Sequence, residues 1–243
     1  MAISRSAVRL DGKKMSDFAT LSGERPIVVL APHPGDETLG CGMLLAAAFA
    51  GRGARIVALS RGANPDRPCA SATQSLVSRR SAEVVEAVRA LGGRSSDIER
   101  WNFPLGHVPM RGPVYERAVD WIEALCVSSG ARCLYASGLE NAHVDHLATA
   151  TIARGVAQRQ PALRVLHYTL WPSPRADVEG TSTAQTKTFR FAAEQWRKPK
   201  RRAVRCHRSQ LAELEIDPQG TKLREVMMHS LMEGEERFVE HHR

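Results

Sequence analysis

The sequence predicts an α/β fold, a mostly parallel sheet covered by helices on both faces, folded as a single domain. Three observations predict it. Short apolar runs alternate with longer amphipathic segments along most of the chain. The runs are continuously apolar, as expected of strands buried on both faces. A length of 243 residues suits one such domain and can bury a real core.

The elements follow in order. Residues 1–25 are polar and mixed and read as a lead-in. Ile27–Ala31 is the first buried strand, ending in a turn that contains Pro32, Pro34 and Gly35. A helix is predicted from Thr38 to Gly51, with Thr38 as its cap. Arg55–Ser60 repeats the strand signal, and Ser75–Leu91 is an amphipathic helix stopped by Gly92 and Gly93. Glu99–Phe103 is a weaker strand, and Pro113–Val127 is a helix with proline in its first turn. Arg132–Ala136, Val144–Gln158 and Val165–Leu170 continue as strand, helix and strand. Right-handed crossovers then give a mainly parallel sheet. Residues 171–204, with Pro172, Pro174, Gly180 and a Ser/Thr-rich patch, read as an irregular insert: a long loop or a small hairpin. A helix from about Arg201 to Glu215 and a charged helical tail over 216–243 close the chain. The expected division is lead-in 1–25, hydrolase-like domain 26–215 and tail 216–243.

Composition excludes little beyond this. Hydrophobic residues make up 43% and charged residues 25%, and the formal net charge of +8 permits an anionic partner without choosing one. Five scattered cysteines with no Cys-x-x-Cys pair argue against a disulfide framework or a zinc ribbon. The N-terminus lacks the apolar core of a signal peptide, and the longest apolar stretch, Met43–Ala50, falls far short of a bilayer span. A reduced, cytoplasmic protein without a membrane partner is expected.

The chemistry begins in the turn after the first strand. Ligands of open α/β sheets bind beyond the carboxyl ends of the strands, where strand order reverses. His33, Asp36 and Glu37 lie there, pinned by Pro32 and Pro34. An imidazole and a carboxylate three positions apart on a rigid turn suit a metal clip. The plainer alternative is that Asp36 caps the next helix and His33 is a half-buried turn residue. A second cluster, Glu140-Asn-Ala-His143-Val-Asp145-His146, follows a later strand at the same sheet edge. In a strand order of 3-2-1-4-5 the first and fourth strands are neighbours, so the two loops converge. Two imidazoles and one carboxylate leave coordination positions open for water and substrate.

These residues resemble the LmbE-like (PIG-L) N-deacetylases. APHPGDETLGCG is similar to that family's A-H-P-D-D-E turn, and HVDH to its H-P-D-H segment. Arg80-x-x-Glu83 and His207-Arg-Ser-Gln210 match two weaker features, in register from about residue 26 to 210. The resemblance implies a Rossmann-like sheet and a zinc ion held by His33, Asp36 and His146, with iron(II) or another divalent metal an alternative. It implies that His143 assists the tetrahedral intermediate and leaving group, that Asp145 orients His143, and that Arg80 lies near the substrate pocket. The implied reaction is hydrolysis of an N-acyl group on an amino sugar or small glycoconjugate.

One position departs from the pattern. Gly35 stands where the family has its general-base aspartate. Glu37, Glu140, His143 or hydroxide on the metal could replace it, or the chain binds its ligand without turnover. Trp101, Tyr168 and Trp171 flank strand ends and read first as core residues; Trp171, at the start of the insert, is the best of them to stack on a sugar. The basic run Arg197–Arg205 reads as a solvated face or an anion-attracting rim in preference to a specific nucleic-acid site. The closely spaced Gly35, Gly40 and Gly42 do not follow the dinucleotide-binding pattern G-x-G-x-x-G. His241 and His242 are assigned no chemistry.

Overall fold

The computed structural model describes residues 9–10, 13–63, 70–138, 143–170, 186–215, 229 and 231–241. The lead-in carries a small antiparallel ribbon, β1 (Arg9–Leu10) and β2 (Lys13–Lys14), and a short helix, α1 (Phe18–Ser22). The predicted alternation follows: β3 (Ile27–Ala31), α2 (Asp36–Phe49), β4 (Ala54–Ser60), α3 (Ala70–Ala90), β5 (Ile98–Phe103), α4 (Pro113–Ser129), β6 (Cys133–Ser137), α5 (Val144–Arg159) and β7 (Arg164–Tyr168). These strands pair in parallel in the order β5-β4-β3-β6-β7, so strand order reverses between β3 and β6.

Alternation along each strand decides which helices cover which face. Ile27, Val29, Ile56, Tyr135 and Leu166 pack with α2 and α3. Val28, Leu30, Val57, Leu134 and Ala136 pack with Ala118, Ile122, Ile152 and Val156 of α4 and α5. Trp101 joins an aromatic group with Phe103 and Trp121. Tyr168 is buried and donates its hydroxyl to Leu30 O at 2.9 Å, so it is a core residue. Cys41, Cys126, Cys133 and Cys206 are free thiols. No described helix is long and apolar enough to cross a membrane.

The last third differs from expectation. The insert over 171–204 holds an edge strand, β8 (Thr186–Phe191), and a helix, α6 (Glu194–Val204), while Trp171 lies outside the described residues. The single helix expected over 201–215 is two, α6 and α7 (Arg208–Glu215). The tail, expected to be helical, contains β9 (Glu236–His241), which pairs antiparallel with both β7 and β8 and extends the sheet to seven strands. Its charges hid it. Glu236 and Glu240 share a face with buried Phe238 because each has a cation to meet, Lys200 and Arg164 respectively. The basic run becomes α6, where Arg197 pairs with Glu194, Arg201 with Glu233, and Lys200 is buried against Glu236.

That buried pair meets a break in α2. Cys41 leaves helical geometry (φ −132°, ψ 16°). The N–H groups of Met43 and Leu44, just past the break, donate to the two oxygens of Glu236 at 2.7 and 3.0 Å. Lys200 Nζ lies 2.7 Å from the same carboxylate. Gly42 gives the lysine its room, since a Cβ there would stand 2.7 Å from Lys200 Cγ.

Candidate functional site

The two turns predicted to converge do so at the carboxyl ends of β3 and β6. Gly35 adopts φ 106° at the cap position of α2, a conformation that favours glycine. The Glu37 carboxylate accepts its N–H at 2.9 Å. Asp36 does not cap the helix. Its Oδ2 accepts the His33 N–H at 3.0 Å and faces His33 Nδ1 at 3.3 Å and His146 Nε2 at 3.5 Å. Two ligand atoms bound tetrahedrally at roughly 2.0–2.1 Å from one ion lie about 3.3–3.4 Å apart. The His33–Asp36–His146 spacing therefore fits a shared divalent cation, and the three ligand atoms lie within 4.8 Å of one another. His33, His143 and Asp145 form a second group at similar spacing. There, however, His33 Nε2 and Asp145 Oδ2 are 3.1 Å apart, a hydrogen-bond distance.

Asp145 is fully buried and serves more than one element. It accepts the N–H groups of Gly106 at 2.7 Å and Val108 at 3.1 Å, which ties the β5–α4 loop to the site. Its bond to His33 Nε2 turns Nδ1 of that ring toward Asp36. A carboxylate behind a ligating histidine fixes the tautomer and raises ligand basicity. Toward His143 the Asp145 carboxylate is more distant, 4.0 Å from Nδ1. His143 Nδ1 instead accepts the backbone N–H of Asp145 at 3.1 Å as the cap of α5, so the neutral ring carries its proton on Nε2. The His143 ring stands 4.6 Å from that of His33 and 5.8 Å from that of His146.

The electrostatics favour a cation at this point. Burial alone would lower the His33 imidazole, but its bonds to Asp145 and Asp36 outweigh that and raise it to about 9. Burial would raise both Asp36 and Asp145, yet the hydrogen bond to His33 leads the effects that hold each below the usual carboxylate range. Burial lowers His146, whose Nδ1 has no partner among the described residues.

Behind the turn lies a buried polar brace. Glu37, fully enclosed and pushed by burial up to about 7, accepts the Thr38 hydroxyl at 2.8 Å as well as Gly35 N–H. His207 Nε2 lies 3.1 Å from Thr38 Oγ1, and Gln210 Nε2 donates to Pro34 O at 2.8 Å. Burial lowers His207 to about 4. Glu83 accepts the backbone N–H and the hydroxyl of Ser209 at 2.8 and 2.6 Å. Arg80, mostly buried, donates to Gly62 O beside the turn. The two weaker sequence motifs are thus joined to each other and to the His33 turn. The loop amides of Gly106 and Val108 went unnoticed in the sequence, since a backbone donor leaves no residue-type signal, and Ser209 stood in its motif without an assigned role. Glu140 lies outside the described residues.

Fold and site together define an α/β protein with two histidines and a carboxylate at metal-ligand spacing on its topological switch point. The chain belongs to the PIG-L family, described as GlcNAc-PI de-N-acetylase, which matches residues 28–157, more than half of its length. It is similar in fold to the zinc-inhibited form of teicoplanin deacetylase Orf2, with 17% identity, a TM-score of 0.64, and coverage of 89% of this chain and 97% of that one. N,N'-diacetylchitobiose deacetylase from Pyrococcus horikoshii, complexed with its inhibitor MPG, gives 18%, 0.60, 84% and 75%. The conserved protein TT1542 from Thermus thermophilus gives 25%, 0.59, 87% and 92%. None of the curated proteins matches. Family and fold are those the motifs implied.

Proposed function

We propose that the chain is a metal-dependent N-deacetylase that hydrolyses an N-acyl group on an amino sugar or small glycoconjugate. The observation that carries this reading is the spacing of His33 Nδ1, Asp36 Oδ2 and His146 Nε2 around one point. Family membership and the two deacetylases of the same fold support the reaction class. His33, Asp36 and His146 would hold zinc, or iron(II), which the same donors suit. Bound there, a divalent metal would polarise an amide carbonyl and lower the pKa of water toward about 7.

The chain's own residues do the rest. Asp145 holds His33 by Nε2 and orders the loop at Gly106 and Val108. His143, with its side chain 38% exposed, presents Nε2–H to the carbonyl oxygen as charge develops there. Hydrolysis adds one water across the C–N bond and gives a carboxylate and a free amine. Glu37 is a positioning residue, because both its oxygens are engaged and it is sealed from the site. With Gly35 lacking a side chain, no described carboxylate is placed to take the proton of the attacking water, and that proton passes to solvent. Arg80 shapes the pocket wall through Gly62.

A second reading, a binding protein that retains metal without turnover, is favoured by that same lack of a base. Acetate release from N-acetylglucosaminyl substrates, measured alongside metal content, separates the two. The enzyme reading expects one metal per chain and acetate formation, and Asp36→Ala should lose both. Metal without acetate on any such substrate selects the binding protein. Zinc affinity unchanged in Asp36→Ala would refute the site itself, and oxygen-dependent activity with bound iron would reassign the chemistry.

A further inference from the structure

A cavity of about 600 Å³ opens between the far half of α5 and the β7–β9–β8 end of the sheet, lined by Arg154, Arg164, His167, Lys187, Glu240 and His241 among others. Arg154 is eight residues along α5 from His146, or roughly 12 Å of helix rise, so the cavity is separate from the metal ligands. Its volume falls within the range of small-molecule sites.

The charges lining it do not balance. Glu240 is the one carboxylate among these lining residues, and both its oxygens are taken by Arg164, at 2.8 Å from Nε and 2.9 Å from Nη2. Lys187 pairs with Glu240 in the strand register and so shares the Phe189 face of the strands, opposite His167 and His241, with its ammonium 4.9 Å from the Phe189 centroid. Arg154 is exposed on α5 and has no carboxylate partner among the described residues. The buried His167 ring packs edge-on against His241, with centroids 5.4 Å apart. His167 Nδ1 lies 3.1 Å from Ser137 O and so carries the proton, which leaves Nε2 as its second polar atom. Besides burial, the nearby His241 and Arg154 hold the His167 imidazole below its usual range. Repulsion among clustered cationic groups is what a bound anion relieves.

We infer that this cavity binds a small phosphate-bearing anion, with Arg154 supplying charge and His167 and His241, on the same face of the sheet, supplying hydrogen-bonding nitrogens. A phosphate group suits them because its several oxygens can meet a guanidinium and two imidazoles at once, and its acid form can donate to a neutral imidazole.

Calorimetry on the full-length, metal-loaded chain tests this, with inorganic phosphate, pyrophosphate and AMP as probes at fixed ionic strength. Saturable binding of at least one probe is expected at one site per chain. Arg154→Gln, at an exposed position, should weaken it about tenfold or more, while Lys187→Gln, on the opposite face of the sheet, and Asp36→Ala leave it unchanged. The imidazole NMR signals of His167 and His241 should move with the same affinity. AMP binding more tightly than phosphate assigns the site to a phosphorylated metabolite, and the reverse order to the free inorganic anion. No saturable binding up to roughly 10 mM of any probe would overturn the proposal. So would affinity indifferent to Arg154→Gln, or binding abolished by Asp36→Ala, which would place the anion on the metal.

Discussion

Giving residue 35 a side chain tests two ideas at once. Gly35 sits at φ 106°, and a Cβ there would stand 2.7 Å from Gln210 Oε1 and 3.4 Å from His207 Nδ1. Holding an L-residue in left-handed geometry costs about 1–2 kcal/mol. Displacing the Gln210 side chain from Pro34 O forfeits about 0.5–1.5 kcal/mol more. Gly35→Ala and Gly35→Asp should therefore both lose about 2–3 kcal/mol, roughly 4–12 °C in Tm for a chain of this size. Gly35→Ala bears the strain without a carboxylate, so it is the reference for turnover. If a carboxylate at this position can accept the water's proton, Gly35→Asp should exceed Gly35→Ala by about 10²–10⁴-fold in kcat at equal metal content. Calorimetric melting and acetate release measure the two effects separately. Melting unchanged in both variants would show that the turn does not need a glycine and would refute the steric reasoning. Equal turnover in the two would show that a base at residue 35 has nothing to act on.

Three further outcomes are expected. His143→Ala should keep its metal and lose about 10²–10³-fold in kcat, the usual effect of removing one oxyanion donor; loss of metal would make His143 a ligand. Asp145→Asn should weaken metal binding by about 10–100-fold, seen in competition with a chelator, and should speed hydrogen exchange at Gly106 and Val108, because the same carboxylate serves both. His207, lowered to about 4, stays neutral in the folded chain while its unfolded form protonates near 6.5, so stability present above pH 6.5 is lost as pH falls toward 4. That loss amounts to about 3 kcal/mol, and urea titrations of His207→Gln should show a correspondingly smaller acid decline.

The parallel part of the sheet was legible because β3, β4 and β6 are continuous apolar runs that little else explains. The convergence of His33, Asp36 and His146 was legible because they sit in turns that strand order must bring together. The role of Asp145 was not. The family resemblance paired it with His143, whereas the path of α5 brings its carboxylate to 3.1 Å from His33, 112 residues away in sequence, and leaves it 4.0 Å from His143 Nδ1. β9 was missed because a strand is read from apolar alternation, and Glu236 and Glu240 have partners that only the tertiary structure supplies. His241 likewise had no assigned chemistry until β9 set it against His167.

The Glu236 carboxylate in the break of α2 bears on how the protein is made. It is separated from Met43 by 193 residues, and the helix it steadies begins at Asp36. Until that late stretch emerges from the ribosome, the amides of Met43 and Leu44 lack their acceptor and Lys200 lacks its counter-charge. The stretch that matches the family ends at residue 157, long before this contact can form. A nascent chain can thus contain His33, Asp36 and His146 and still lack the contact that steadies the break in α2. The expected order is assembly of the central strands first and completion of α2 last, upon docking of β9.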